Sequence, residues 1–534
     1  MDHLDSVVQG IQVALQPGNL VFVALGVFIG TLIGVLPGLG PTATIALLLP
    51  LTYVLEPATA IILLAGIYYG SVYGGTITSV LLRIPGEASS VVTTFDGYPM
   101  AQQGRAGPAL GIAAVGSFAG GMTATVVLVL LAPMLAGVAL SFGPPEYTLI
   151  ALTGILLVAW MGNVSVGRAL IAAGLGLMLA TVGLDPISGE PRFTFESTSM
   201  LAGLDFIPIA MGLFGLGEVL YNIDKSPTGT KIKHKIGRIW PTRSDFKQAA
   251  PSLARGTVLG SLLGLLPGGG SVVSSMSSYV VEKRRAKDPS RFGKGAIEGV
   301  AGPEAASNAG STTAFVPLLT LGIPPNVVLA LLYGALLIQG ITPGPTLMTD
   351  RPEVFWGVIA SMFVGNVLLL LFNTALIGAF VQVLRIPITI LSTVAVVVML
   401  IGVYTVQNRV FDMVVVLVFG LVGYALRKFG YEVGPLVLAF ILGGILETSL
   451  RQSLLISGGD FAVFVTRPVS SGILAVIAVL VLVVVGRTWL TSRRVANTVT
   501  ESESESESGS GAVSGAEPES GSEPESGSGS GSER

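Results

Sequence analysis

Two short runs in the chain set backbone donors and hydroxyls directly after a proline. The first is Pro37-Gly38-Leu39-Gly40-Pro41-Thr42-Ala43-Thr44, and the second is Pro267-Gly268-Gly269-Gly270-Ser271, with Ser274 and Ser275 close behind. Where such a run opens a helix, its first N–H groups lack intrahelical acceptors and lie at the positive end of the helix dipole, so they favour an anionic group. Thr42, Thr44 and Ser271 would add hydroxyl donors. Two polar clusters in otherwise apolar surroundings strengthen the pattern: Ser71, Tyr73, Thr76 and Thr78, and then Asn308, Ser311, Thr312 and Thr313. Each hydroxyl could equally bond a neighbouring helix, but equivalent clusters in two places favour one shared site. The candidate substrate-binding set is therefore Gly38, Gly40, Thr42, Thr44, Gly75, Thr76, Thr78, Gly268, Gly270, Ser271, Asn308, Ser311, Thr312 and Thr313.

Little else in the chain offers chemistry. There is no cysteine, which removes disulfides, thiolate catalysis and cysteine-ligated metals. His3 lies in the terminal segment and His234 in a Lys-rich stretch, so neither is placed for catalysis or a metal cluster; no catalytic residue is assigned and a metal site stays unknown. No Gly-x4-Gly-Lys-Ser/Thr phosphate loop occurs, so any energy must come from an ion gradient or a partner. Glu87, Asp96, Glu298 and Glu304 are ionisable groups beside the polar motifs, where they are either loop charges or binders of a coupling proton or sodium ion.

The elements that must hold these residues are set by composition. Of 534 residues, 51% are apolar and only 11% charged, against about a quarter charged in ordinary soluble domains. Apolar runs recur from Leu20 to Leu490, several long enough for the roughly 20 helical residues that a bilayer core requires. No basic residue precedes the first run, so it is expected to stay rather than be cleaved. Gly26, Gly30, Gly34 and Gly38 end in Leu36-Pro37-Gly38, and 230 positions later Gly256, Gly260, Gly264 and Gly268 end in Leu266-Pro267-Gly268. A second echo pairs Gly75-Thr76-Ile77-Thr78 and Ile84-Pro85-Gly86-Glu87 with Gly310-Ser311-Thr312-Thr313 and Ile323-Pro324-Pro325-Asn326, allowing small insertions.

Four-spaced glycines share one helix face and let another backbone approach in lipid. The Pro-Gly breaks leave two limbs, each too short to span comfortably, which reads as a re-entrant or discontinuous hairpin. Lys231, Lys233, Lys235, Arg238, Arg243 and Lys247 before the second hairpin, and Lys283, Arg284, Arg285 and Lys287 after it, put both its ends in the cytoplasm. The first hairpin has only Asp2, Asp5 and Glu56 around it and is expected to open outward. Five intervening spans then invert the second half relative to the first. The expected fold is an all-α polytopic membrane protein of two inverted repeats, each with a hairpin, with about 11 to 12 transmembrane helices in all. The expected divisions are 1–19 as an N-terminal segment, 20–224 and 251–490 as the repeats, 225–250 as a basic cytoplasmic linker, and 491–534 as a disordered acidic Ser/Gly/Glu tail.

Gly34-Val35-Leu36-Pro37-Gly38-Leu39-Gly40-Pro41-Thr42, Tyr68-Tyr69-Gly70-Ser71-Val72-Tyr73-Gly74-Gly75-Thr76, Arg83-Ile84-Pro85-Gly86-Glu87 and Gly302-Pro303-Glu304-Ala305-Ala306-Ser307-Asn308-Ala309 resemble the large membrane subunit of the tripartite tricarboxylate transporters, the TctA family. The resemblance runs from about Leu20 to Leu490. It implies a multi-pass cell-membrane protein that takes up tricarboxylates or related carboxylates by alternating access on an ion gradient, Na+ or H+, and is not an enzyme. It also implies partners: a small membrane subunit and an extracytoplasmic solute-binding protein. The residues alone leave open a stand-alone carrier or channel for another small organic solute.

Overall fold

The computed structural model describes residues 3–36, 40–161, 165–225, 236–266, 270–383, 388–479 and 481–482. The first half carries α1 (His3–Ala14), α2 (Pro17–Gly34), α3 (Pro41–Thr52), α4 (Pro57–Leu82), α5 (Thr93–Gln102), α6 (Ala106–Ala139), α7 (Pro144–Met161) and α8 (Val166–Ala180). A span of α9 (Phe206–Ala210), a π-helical segment (Met211–Leu216) and α10 (Gly217–Lys225) closes it. The second half carries α11 (Arg243–Gly264), α12 (Gly270–Arg285), α13 (Glu298–Thr313), α14 (Phe315–Leu321), α15 (Val327–Ile338), α16 (Leu347–Asp350), α17 (Pro352–Ala375), α18 (Ile377–Val383), α19 (Ile388–Gln407), α20 (Val410–Lys428), α21 (Val433–Ile456) and α22 (Val463–Thr466). Proline at the first turn starts α2, α3, α4 and α17, where its missing N–H costs nothing. A reciprocal Thr242–Asp245 capping box starts α11.

Among the described residues, seven helices are long and apolar enough to cross a membrane, and six more apolar helices of 10–17 residues accompany them. The chain is an all-α polytopic membrane protein apart from one ribbon, in which Gly183–Leu184 pairs antiparallel with Pro191–Arg192. Residues 1–473 form one compact unit. Of the second unit, 474–534, the described residues 474–479 and 481–482 are helical; the expected acidic tail lies outside the described residues.

Both glycine rows pack backbone to backbone. A Cβ on Gly26, Gly30 or Gly34 of α2 would fall within 2.5 Å of the carbonyl oxygens of Leu63, Ile67 and Ser71 on α4. On α11, Gly256, Gly260 and Gly264 stand in the same relation to Gly302, Ala306 and Gly310 of α13. Each α4 partner and its α13 counterpart are 239 positions apart. The same shift relates the helix ends: Arg83 (φ 60) and Gly322 (φ 69) are left-handed caps, and the Ile84 and Ile323 N–H groups bond the Thr78 and Pro317 carbonyls at 3.4 and 3.2 Å. Each bond reaches six residues back, one further than the closing bond of a Schellman turn.

That register corrects the second echo. Ser71 corresponds to Gly310 and Gly75 to Ala314, so Gly75-Thr76-Ile77-Thr78 and Gly310-Ser311-Thr312-Thr313 sit one helical turn out of step. Glycine backbones in contact fix the register, whereas the similarity of short polar strings does not.

The limbs of each hairpin pack on one another, and α12 reaches Arg285. Ala314 separates α13 from α14, and the last third of the expected linker, 243–250, is already helical.

Candidate functional site

The second hairpin resumes as a helix at Gly270, whose φ of +37° suits glycine. A Cβ there would stand 3.7 Å from Asn326 Nδ2, and that amide donates to the Tyr68 hydroxyl at 3.3 Å. Ser271 lies beside the same hydroxyl. Residues from α4, the start of α12 and the start of α15 therefore meet at one point, drawn from both halves of the chain. Asn326 also caps α15, accepting from Leu329 N–H at 2.9 Å. Its counterpart in the first half, Glu87, caps the short 3-10 turn Ala88–Val91 by accepting from Ser89 N–H at 2.8 Å. Loop and hairpin exchange contacts across the halves: Ser275 of α12 donates to Ser89 O at 2.9 Å, while α3 packs on α15.

One helical layer away, Glu304 of α13 gathers hydroxyls from three elements. Its Oε1 accepts from Thr76 of α4 at 2.8 Å and Thr93 of α5 at 2.5 Å. Ser117 of α6 lies 3.5 Å from Oε2 and accepts from Asn308 Nδ2 at 2.8 Å. Below it, Asp96 binds the loop before α13, accepting from Gly293, Gly295 and Ala296 N–H groups at 2.8–2.9 Å and from the Tyr279 hydroxyl at 2.9 Å. At the base of the hairpin Arg255 and Glu282 form a two-point pair at 2.7 and 2.5 Å.

The expected residues do not all meet at one place. Gly270 and Ser271 meet at the hairpin tip, and Thr76 and Asn308 meet around Glu304. Thr44, Thr78, Ser311, Thr312 and Thr313 donate to carbonyls of their own helices, a local use of the hydroxyl that needs no ligand. Gly40 caps α3 with no described atom within 4 Å of a Cβ, Thr42 is half-buried in its first turn, and Gly75 abuts Glu87 and Ser90. Gly38 and Gly268 lie outside the described residues. Glu298 reaches Gln248 and Arg291 near the surface.

Sequence reasoning passed over Tyr68, Thr93, Ser117 and Asn326 as site residues. Tyr68 and Asn326 stood inside the quoted motifs, but Thr93 and Ser117 carry no local signal that separates them from ordinary packing hydroxyls. Among the described residues, the buried hydroxyls of Ser261, Ser278 and Ser307, on the mutually packed α11, α12 and α13, have no hydrogen-bond partner. No group of three or more His, Cys, Asp or Glu side chains among the described residues is arranged to hold a metal.

A family model described as "Tripartite tricarboxylate transporter TctA family" matches residues 20–438. An uncharacterized 52.8 kDa protein from the TAR-I ttuC' 3'region of Agrobacterium vitis is 48% identical over 477 residues, 89% of this chain and 95% of that protein. An uncharacterized protein from the TAR-II ttuC' 3'region of the same organism is 52% identical over 215 residues, 40% of this chain and 89% of that protein. No solved structure matches.

Proposed function

The chain belongs to the tripartite tricarboxylate transporter TctA family, and on that premise we propose that it is the membrane-embedded subunit that carries tricarboxylates or related carboxylates inward on an ion gradient. It acts as a transport component rather than an enzyme. The observation that carries this reading is the meeting of Gly270, Ser271, Tyr68 and Asn326: a helix N-terminus, two hydroxyls and an amide, contributed by both halves. Such a group offers donors to a carboxylate with no fixed positive charge, and a helix start supplies the favourable potential. Non-helical backbone at membrane depth is tolerated where it lines a cavity or is enclosed by protein, which fits the breaks at both hairpins.

In this reading the halves are inverted repeats, the substrate lies between the hairpin starts at Gly40 and Gly270, and the halves rock to expose it alternately. A small membrane subunit and an extracytoplasmic binding protein deliver the anion. The test is counterflow of labelled citrate, with other di- and tricarboxylates as competitors, in proteoliposomes containing the full chain and its small subunit. A carrier shows trans-acceleration; a channel gives flux without it, and no uptake of any carboxylate would end the proposal. Orientation has its own measurement: a cysteine at Gly18, in a background without native cysteine, should be labelled from outside, and labelling only from the cytoplasm would rule out the inversion.

A further inference from the structure

Glu304 is an unusual carboxylate for a helix in the middle of a packed membrane protein. It is 2% exposed, and among the described residues no Lys or Arg pairs with it. Charge inside a bilayer protein is costly, and where it persists it marks an ion or proton path. The groups around it are hydroxyls and an amide: Thr76 and Thr93 on Oε1, Ser117 facing Oε2, and Asn308 holding Ser117. They come from α4, α5, α6 and α13 itself, so the carboxyl joins both halves.

The spacing of these oxygens distinguishes the two gradient ions. The Thr93 and Thr76 hydroxyls stand 2.5 and 2.8 Å from Glu304 Oε1 as hydrogen-bond donors, and a sodium ion at this carboxyl would have to displace both bonds and turn the hydroxyl lone pairs inward. A proton on Oε2 leaves both of those bonds in place, and Ser117 Oγ donates towards Oε2 when the carboxyl is ionised.

Several titratable and charged groups on the elements packed against α13 are engaged with other partners. On α4 the Tyr73 hydroxyl donates to Leu110 O, and Glu87 after α4 is bonded to Ser89. On α5, Asp96 is bonded to backbone N–H groups and Tyr279 of α12. Arg255 of α11 and Glu282 of α12 pair with each other, and α6 and α14 carry no charged residue. α13 also touches the substrate end of the hairpin: a Cβ on Gly310 would meet Ser274 Oγ at 2.5 Å, and Ser274 donates to Gly270 O. A change at Glu304 therefore acts on the helix against which the hairpin start is seated.

We propose that Glu304 is the site of the coupling proton: the carboxylate takes a proton from the outer side, travels neutral with the bound anion, and returns the proton to the cytoplasmic side. The inference rests on the carrier reading above and adds to it the ion and the residue. The test uses the same proteoliposomes with labelled citrate and an imposed pH gradient, acid outside, without sodium. Wild type should accumulate citrate and lose that accumulation when a protonophore is added. In Glu304→Gln, a permanent stand-in for the neutral carboxyl, the ratio of pH-driven accumulation to exchange should fall about tenfold or more, because an ion with no differential affinity for the two states cannot bias them. Glu304→Asp should keep coupling with a displaced pH profile. Thr93→Val and Ser117→Ala, which remove donors to the ionised form, should move the pH profile to the alkaline side; this arm decides the matter if Glu304→Gln fails to fold. The proposal is overturned if Glu304→Gln accumulates citrate as wild type does, if accumulation requires sodium, or if the hydroxyl variants leave the pH profile in place. Absence of exchange in wild type would instead remove the carrier reading itself.

Discussion

Leucine substitutions at four glycines separate packing from function. A Cβ at Gly260 would stand 2.2 Å from Ala306 O and 2.7 Å from Ala306 Cα, and one at Gly30 would stand 2.4 Å from Ile67 O and 2.8 Å from Ile67 Cα. These obstacles are backbone atoms, so no rotamer change relieves them, and the helices must separate by about 1 Å to restore ordinary contact. Overpacking alone costs about 1–3 kcal/mol, and a leucine pushes further carbons into the same seam, so Gly30→Leu and Gly260→Leu should each lose at least ~3 kcal/mol. Gly40 is the opposite case. Its φ of −82° and ψ of 175° suit any residue, and no described atom lies within 4 Å of a Cβ, so Gly40→Leu should cost no more than about 0.5 kcal/mol. Gly270 is intermediate, with space for a Cβ but a φ of +37°, which costs a leucine roughly 1–2 kcal/mol. Melting in detergent followed by size exclusion reads the stability, and citrate uptake reads the function. Gly40→Leu should melt as wild type and fail to transport, Gly270→Leu should lose part of its stability and its transport, and the two seam variants should lose folded protein. Wild-type transport by Gly40→Leu would refute the role of the hairpin start, and wild-type melting of Gly260→Leu would refute the backbone seam.

Two further outcomes follow from ion pairs near the ends of the helices. Glu282 is 3% exposed and bonded twice by Arg255, so Arg255→Ala leaves a buried charge unpaired. The usual cost of about 3–5 kcal/mol is reduced because Arg255 is 38% exposed, yet the loss in melting temperature should exceed that of Arg255→Met combined with Glu282→Met; equal losses would mean the pair contributes only bulk. In the loop after α8, Asp185 accepts from Ser188 and Ile187 N–H groups and then from Arg451, which together hold its carboxyl well below the usual carboxylate range. A depressed folded-state value means that the stabilisation is complete above the unfolded value near pH ~4 and is lost as the pH falls through the folded one. Hydrogen exchange across 183–203, corrected for intrinsic rates, should be unchanged between about pH 5 and 7 and accelerate below about pH 4; the same protection below about pH 4 as at about pH 5 to 7 would exclude the mechanism.

The glycine rows were legible because their cause is simple: a residue without a side chain at every fourth position permits one helix to lie on another, and α2 on α4 and α11 on α13 do so. The Pro-Gly breaks were legible for a similar reason, since Pro41 and Gly270 both open new helices. The polar clusters were harder. Proximity of hydroxyls along the chain misleads because a hydroxyl on a helix has its own carbonyls within reach, which is where Thr44, Thr78, Ser311, Thr312 and Thr313 turn. Which hydroxyl turns outward instead depends on what another helix presents. Thr76 reaches Glu304, 228 positions away, and Thr93 reaches the same oxygen across 211, separations at which a single sequence carries no pairing signal.

The register of 239 positions gives those long-range pairings a pattern. What the two halves share is backbone: close-packed glycine rows, a left-handed cap, an Ile-Pro turn, and a residue whose side chain caps the next helix. What they do not share is charge. Glu87 corresponds to Asn326, Arg83 to Gly322, and Glu304 to Ala65, where α4 has no polar group at all. Backbone donors at a helix start can hold an anion in either half, so duplication suffices to build a pair of hairpins that face one substrate. A proton site needs a carboxyl that both halves enclose, and one copy of the unit supplies that carboxyl while the other supplies Thr76 and Thr93. The chemistry that repeats therefore suits the substrate, and the chemistry that does not repeat suits the ion. Restoring symmetry at the capping pair is the test: Glu87→Asn should keep uptake dependent on pH, whereas Glu304→Gln should abolish that dependence. Loss of the pH dependence in Glu87→Asn would assign the proton to the wrong carboxylate and overturn that division.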